Sequence, residues 1–140
     1  MGLWLFKAEP DDYTYDELER EGEAEWDGVR NHQAARNMRA MRAGDPAFFY
    51  RSVKKPALVG LMRVVREAWP DPDDPRFVRV AVAPVRRLPR EVPLAEIRAD
   101  PALAHLALVR QPRLSVMPVD EEAFRRLLAK AGLDPAAVGV

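Results

Sequence analysis

WDGVRNHQAARNMRAMRAGD, residues 26–45, carries the reading on which the rest of the chain depends. A tryptophan and a WDG turn lead into Asn31, a residue type whose side chain caps a helix start. Beyond it Ala34, Met38 and Met41 recur at helical spacing on one face, Arg36, Arg39 and Arg42 lie along another, and Gly44 supplies a stop. The block therefore predicts a loop entering a two-sided helix, with apolar side chains inward and guanidinium groups outward.

Working outward from this helix, Leu3 to Lys7 is a short apolar run halted at Glu9-Pro10, the pattern of a buried first strand, and a short helix is expected from Tyr15 to Glu21. On the other side an aromatic strand from Ala47 to Arg51 meets the Lys54-Lys55-Pro56 turn and a longer strand from Leu58 to Glu67, which predicts a hairpin. Pro70 to Pro75, dense in proline and aspartate, reads as a surface loop outside the sheet. Phe77 to Val85 alternates as a strand should. Leu94 to Arg98 and Ala102 to Leu106 read as helical turns, Arg113 to Pro118 as a last strand, and Asp120 to Ala131 as an amphipathic helix closed by Gly132. Strands with scattered short helices, in no regular alternation, give an α+β fold, a compact mixed β-barrel with short helices packed around it rather than a Rossmann sheet. At 140 residues the chain is expected to be one domain, 1–140.

Composition narrows the function. There is no cysteine, so no disulfide or thiolate chemistry, and His32 and His105 are the only imidazoles, so neither a metal nor any other cofactor is expected. Ser52 and Ser115 are the only serines, and neither sits in a nucleophile elbow. Phosphate-loop, dinucleotide, HExxH and EF-hand spacings are all missing. No apolar run is long enough for a membrane span, which reads as a soluble, cytoplasmic protein with no membrane partner. Abundant arginine and proline suit a thermophile or a GC-rich host.

A formal net charge of zero conceals strong segregation. Residues 1–27 hold ten acids against Lys7 and Arg20, whereas residues 28–66 hold nine basic residues against Asp45 alone. Aromatic and amide-bearing residues gather in the same first half: Trp4, Trp26, Asn31, Gln33, Asn37, Phe48 and Tyr50. Rings can sandwich a nucleobase, amides can read its polar edge and arginines can hold phosphates. Each residue also has an ordinary structural role open to it, as core, cap or solvated face.

The segments WLFKAEP (Trp4 to Pro10), WDGVRNHQAARNMRAMRAGD, FFY (Phe48 to Tyr50), ALVGL (Ala57 to Leu61) and RLSVMPV (Arg113 to Val119) together resemble the EVE domain, in order and nearly end to end. The resemblance implies a PUA-like barrel related to the YTH domain and a non-catalytic function, the binding of a modified base in DNA or RNA by a monomer. On that reading Trp4, Trp26 and Tyr50 stack on the base. Asn31, Gln33 and the backbone of Lys7, Ala8 and Glu9 read its edge, with Ser115 as a donor in the pocket wall. Arg30, Arg36, Arg39 and Arg113 hold phosphates. The chain departs from the family pattern at Ala8, where serine is usual, and at His32, where tyrosine is common, and its Pro70 to Pro75 loop is short. Two other readings stand beside this one. Related ASCH domains include amidohydrolases acting on acylated nucleosides, for which Lys7 with Glu9 or Glu67 would serve as nucleophile or base, and the acidic N-terminal part would suit an adaptor for a basic protein.

Overall fold

The computed structural model describes residues 2–140. The first strand, β1 (Trp4–Ala8), is apolar at four of its five positions and lies inside the sheet. It runs parallel to β3 (Pro46–Arg51) and antiparallel to β6 (Val116–Pro118). A long hairpin of β4 (Ala57–Asp71) and β5 (Asp74–Pro93) continues from β3, and the three-residue β2 (Ala24–Trp26) pairs with β5 at its outer edge. The ladder runs β2-β5-β4-β3-β1-β6. Its two ends do not pair, so the expected barrel is an open six-stranded sheet.

Adjacent strand residues point to opposite faces, and β3 uses this alternation to hold two layers of helix. Phe48 packs on Phe124 of α5 (Glu121–Lys130), ring centroids 4.3 Å apart. Phe49 meets Tyr15 of α1 (Tyr15–Glu21) on the other side, at 5.4 Å. Helix α1 starts in a capping box, in which the Thr14 hydroxyl accepts from the Glu17 N–H and the Glu17 carboxylate accepts from the Thr14 N–H; Gly22 ends it at φ 76°. The helix docks where Gly60 removes a side chain from β4. A Cβ there would lie 2.3 Å from the Tyr15 ring, and Tyr15 Oη donates to the Leu61 carbonyl at 2.6 Å.

Four expectations change. Helix α2 (His32–Arg39) stops at Ala40 rather than running to Gly44. The chain beyond is captured by other partners: the Arg42 N–H donates to Asp45 Oδ2 at 2.9 Å and the Gly44 N–H to the Val64 carbonyl at 2.7 Å. Residues 70–75 are not a loop outside the sheet, since Pro70 pairs with Val78 and Asp71 with Asp74 across a turn at Pro72-Asp73. The buried Asp71 carboxylate closes that turn by accepting from the Asp73 N–H at 2.9 Å. The strand expected over 77–85 extends as far as Pro93, whereas β6 begins only at Val116. Short helices α3 (Leu94–Arg98) and α4 (Ala107–Arg110), with 3-10 turns at Pro101–Leu103 and Pro135–Val138, complete the architecture.

Candidate functional site

At the carboxyl end of β1 the chain leaves an open cleft of about 1110 Å³. Its walls bring together Lys7, Ala8 and Glu9 from β1 and the turn beyond, Trp26 from β2, Arg79 from β5 and Ser115 from the approach to β6. Trp26 is half-buried. Its indole is braced edge-on by Phe6 at 5.1 Å, Phe49 at 5.9 Å and Tyr13 at 6.0 Å. Phe6 and Phe49 are paired across β1 and β3, so the sheet itself fixes the ring. Tyr13 is anchored by donating its hydroxyl to Glu21. Burial, reinforced by Glu21, holds that phenol well above its ordinary pKa.

The cleft is acidic. Glu9, Asp12, Glu21, Glu23, Glu25 and Asp27 line it against Lys7 and Arg79. Arg79 is already committed, with contacts to Glu25 (3.2 Å), Asp71 (3.3 Å), Asp73 (3.3 Å) and Asp27 (4.0 Å). Burial works against its charge, but Glu25 and Asp71 prevail and raise its pKa, while its buried Nε finds no acceptor among the described residues. It thus ties β2 to the tip of the β4–β5 hairpin. Lys7 has no ion pair among the described residues. Its ammonium donates to the Pro112 carbonyl at 3.0 Å and lies 5.8 Å from the centre of the Tyr50 ring. Burial, with a smaller contribution from Arg98, lowers its pKa.

Much of the main chain at this site is occupied. The Ala8 carbonyl accepts from both the N–H and the hydroxyl of Ser52, at 2.9 and 3.2 Å. The Glu9 carbonyl accepts from the Asp12 and Tyr13 N–H groups, both at 2.9 Å, and the Lys7 N–H donates to the Ser115 carbonyl at 2.8 Å. A carbonyl has two lone pairs. The Ala8 and Glu9 carbonyls are therefore each engaged by two donors within the fold.

Of the residues singled out from the sequence, Lys7, Ala8, Glu9, Trp26 and Ser115 come together. Trp4 does not. It lies at the opposite end of β1, 7% exposed, with its indole N–H on Asp45 at 2.9 Å, and a ring enclosed by the core has no free face on which to stack a base. Tyr50 is buried beneath the Lys7 ammonium, Asn31 uses its side-chain oxygen to cap α2 at the Ala34 N–H (2.9 Å), and Gln33 lies on α2 outside the cleft. The four arginines divide. Arg30 is bound to the buried Asp71 at 3.1 Å, and Arg39 donates to the Arg76 carbonyl at 2.9 Å. Arg36 and Arg113 are exposed and hold no protein acceptor among the described residues. Asn37, next to Arg36, donates to the Val116 carbonyl at 2.8 Å, which sets that part of α2 beside Ser115. Glu67 accepts from the Ala43 N–H and takes no part in the cleft, so its pairing with Lys7 is also corrected. Sequence reasoning missed Tyr13 and Arg79. The acidic run around Trp26 was the available signal for Arg79, because like charges crowded along one short stretch are relieved by a cation.

The EVE domain matches residues 2–130. The chain belongs to the EVE domain family. This EVE domain is 34% identical to mouse thymocyte nuclear protein 1, over 95% of this chain and 75% of the relative, and 32% identical to the human protein with the same coverage. A crystal structure of a protein from Agrobacterium tumefaciens matches with a TM-score of 0.94 at 36% identity, covering 96% of each chain. A crystal structure of human THYN1 in complex with DNA containing 5-methylcytosine matches with a TM-score of 0.88 at 32% identity, covering 96% of this chain and all of that one. The α+β architecture is thus the PUA-like one, with its sheet open.

Proposed function

We propose that this EVE domain binds a modified nucleobase of DNA or RNA in the cleft and does not alter it. The observation that carries the reading is the braced, half-buried indole of Trp26 set into a wall of carboxylates. A π-face accepts any base by stacking, worth about 1–3 kcal/mol. Carboxylates accept from exocyclic amino groups, as on cytosine N4, and repel phosphate. A cleft of this charge therefore suits a base swung out of its strand, with the backbone held outside, where Arg36 and Arg113 are free to meet it. The human relative crystallised with 5-methylcytosine-containing DNA supports the same class of ligand. Binding should be measured on oligonucleotides that differ only in one modified base, at two salt concentrations, with the wild type and Trp26→Ala. The wild type is expected to discriminate and the variant to lose that discrimination. Equal wild-type affinity for every member of the panel would refute the proposal.

One observation favours the amidohydrolase reading: Lys7 is half-buried, free of any ion pair among the described residues and lowered in pKa. Incubation with acylated nucleosides, followed by mass spectrometry, tests it. Turnover that Lys7→Met abolishes would establish it over simple binding.

A further inference from the structure

We infer that Val53 is a wedge, entering a nucleic-acid duplex beside the base held at Trp26 and filling the gap that base leaves in the stack. The inference rests on the base-binding reading above and concerns the loop Ser52-Val53-Lys54-Lys55 between β3 and β4.

Val53 is the most exposed of the three large hydrophobic side chains found at the surface of the described residues, at 64%. Its φ is 70°, and that of Lys55 is 49°. These are the only non-glycine residues with positive φ among the described residues, and a β-branched side chain in this region is a true outlier. Such strain persists where the surroundings enforce it, and it gathers at functional sites. Here the enforcing group is Arg51. Its guanidinium donates to the Lys54 carbonyl (3.3 Å) and twice to the Lys55 carbonyl (3.0 and 2.7 Å), while Glu91 holds its other edge at 3.0 and 2.7 Å. A turn that only needed to reverse the chain would be relaxed by glycine at position 53; instead an apolar side chain is held out into solvent.

The loop is placed for this work. Ser52 binds the Ala8 carbonyl through both its N–H and its hydroxyl, so the Val53 Cα lies no more than about 8 Å from a wall of the base cleft. Lys54 and Lys55 follow, positioned to take phosphates on either side of an inserted residue; the contact of Lys54 with Asp11, at 3.9 Å and highly exposed, is weak enough to exchange. Apolar side chains that pry base steps apart, flanked by cations, are a recurrent means of opening a duplex. An extruded base would otherwise leave a hole that favours its return.

The test compares a duplex carrying one modified base with the single strand of the same sequence, using the wild type, Trp26→Ala, Val53→Asn and Val53→Gly. Asparagine and glycine both tolerate positive φ, so the loop should keep its path and the variants should melt no lower than the wild type. A 2-aminopurine next to the modified base reports unstacking. Removal of the wedge is expected to weaken duplex binding about tenfold or more and to suppress the fluorescence rise, with single-strand binding unchanged. If single-strand binding depends on Trp26 while both Val53 variants bind duplex as the wild type does, or weaken both substrates equally, the wedge is refuted and the base reading survives. If neither substrate is bound through Trp26, the base reading falls and takes the wedge with it.

Discussion

Two arginines six residues apart should behave in opposite ways. Arg36 is exposed and without a protein acceptor among the described residues, whereas Arg30 is tied to the carboxylate of Asp71, whose side chain is fully buried. If Arg36 meets a phosphate, Arg36→Ala removes one released counterion. The slope of log affinity against log salt should then flatten by about 0.9 on duplex or about 0.7 on single strands. Over a fourfold rise in salt this makes the wild-type advantage shrink by roughly 3.5-fold on duplex and 2.6-fold on single strands, whatever the base. Thermal stability should not change, because nothing in the fold is lost. Arg30→Ala should do the reverse: a lower melting temperature, because among the described residues Asp71 keeps only Arg79 and the Asp73 N–H as partners, with an unchanged salt slope. Fluorescence anisotropy titrations from 50 to 200 mM salt, paired with melting curves, read both quantities. An unchanged slope in Arg36→Ala, or a flattened one in Arg30→Ala, would refute the assignment of phosphate contacts from free and committed guanidinium groups.

Two further outcomes test the frame of the site. Gly60→Ala drives a methyl into a Tyr15 ring that is pinned at Leu61, so overpacking together with the strained hydrogen bond should cost about 2–4 kcal/mol and lower the melting temperature by roughly 5–15 °C, measured by calorimetry. Tyr15 itself is pushed up to about 12, chiefly by burial and then by Glu19. The folded state keeps its proton while the unfolded chain loses one near pH 10, so this stability is whole below pH 10 and drains away as pH rises toward 12. Urea midpoints across that window should fall more steeply for the wild type than for Tyr15→Phe.

The helix at Asn31 and the amphipathic α5 were legible because a cap and a repeating apolar face are local signals. Strand β2 was not, since three residues cannot display a period and AEW acquires its role only by pairing with Val80 to Val82. Proline and aspartate at 70–75 suggested a loop, and the hairpin forms there because Arg30 and Arg79 neutralise the buried Asp71, a contact across 41 and 8 residues of sequence. At the site, Trp26 was found and Trp4 misplaced for the same reason. A tryptophan in sequence carries no mark of whether its ring faces solvent, and only the position of Asp45 beside Trp4 decides it. Charge alone left the acid-rich first 27 residues as an ordinary solvated face, with an adaptor for a basic protein as one alternative, whereas folding bends part of that run into the wall beside Trp26.

The saturated carbonyls of Ala8 and Glu9 have an evolutionary corollary. Where selectivity is written in side chains while the chain path is locked by its own hydrogen bonds, single codon changes at Glu9, Glu23 or Ser115 would redirect preference from one chemical mark to another and leave the scaffold untouched. Relatives of this domain would then diversify their targets as lock wards do, by exchanging pins inside an unaltered barrel.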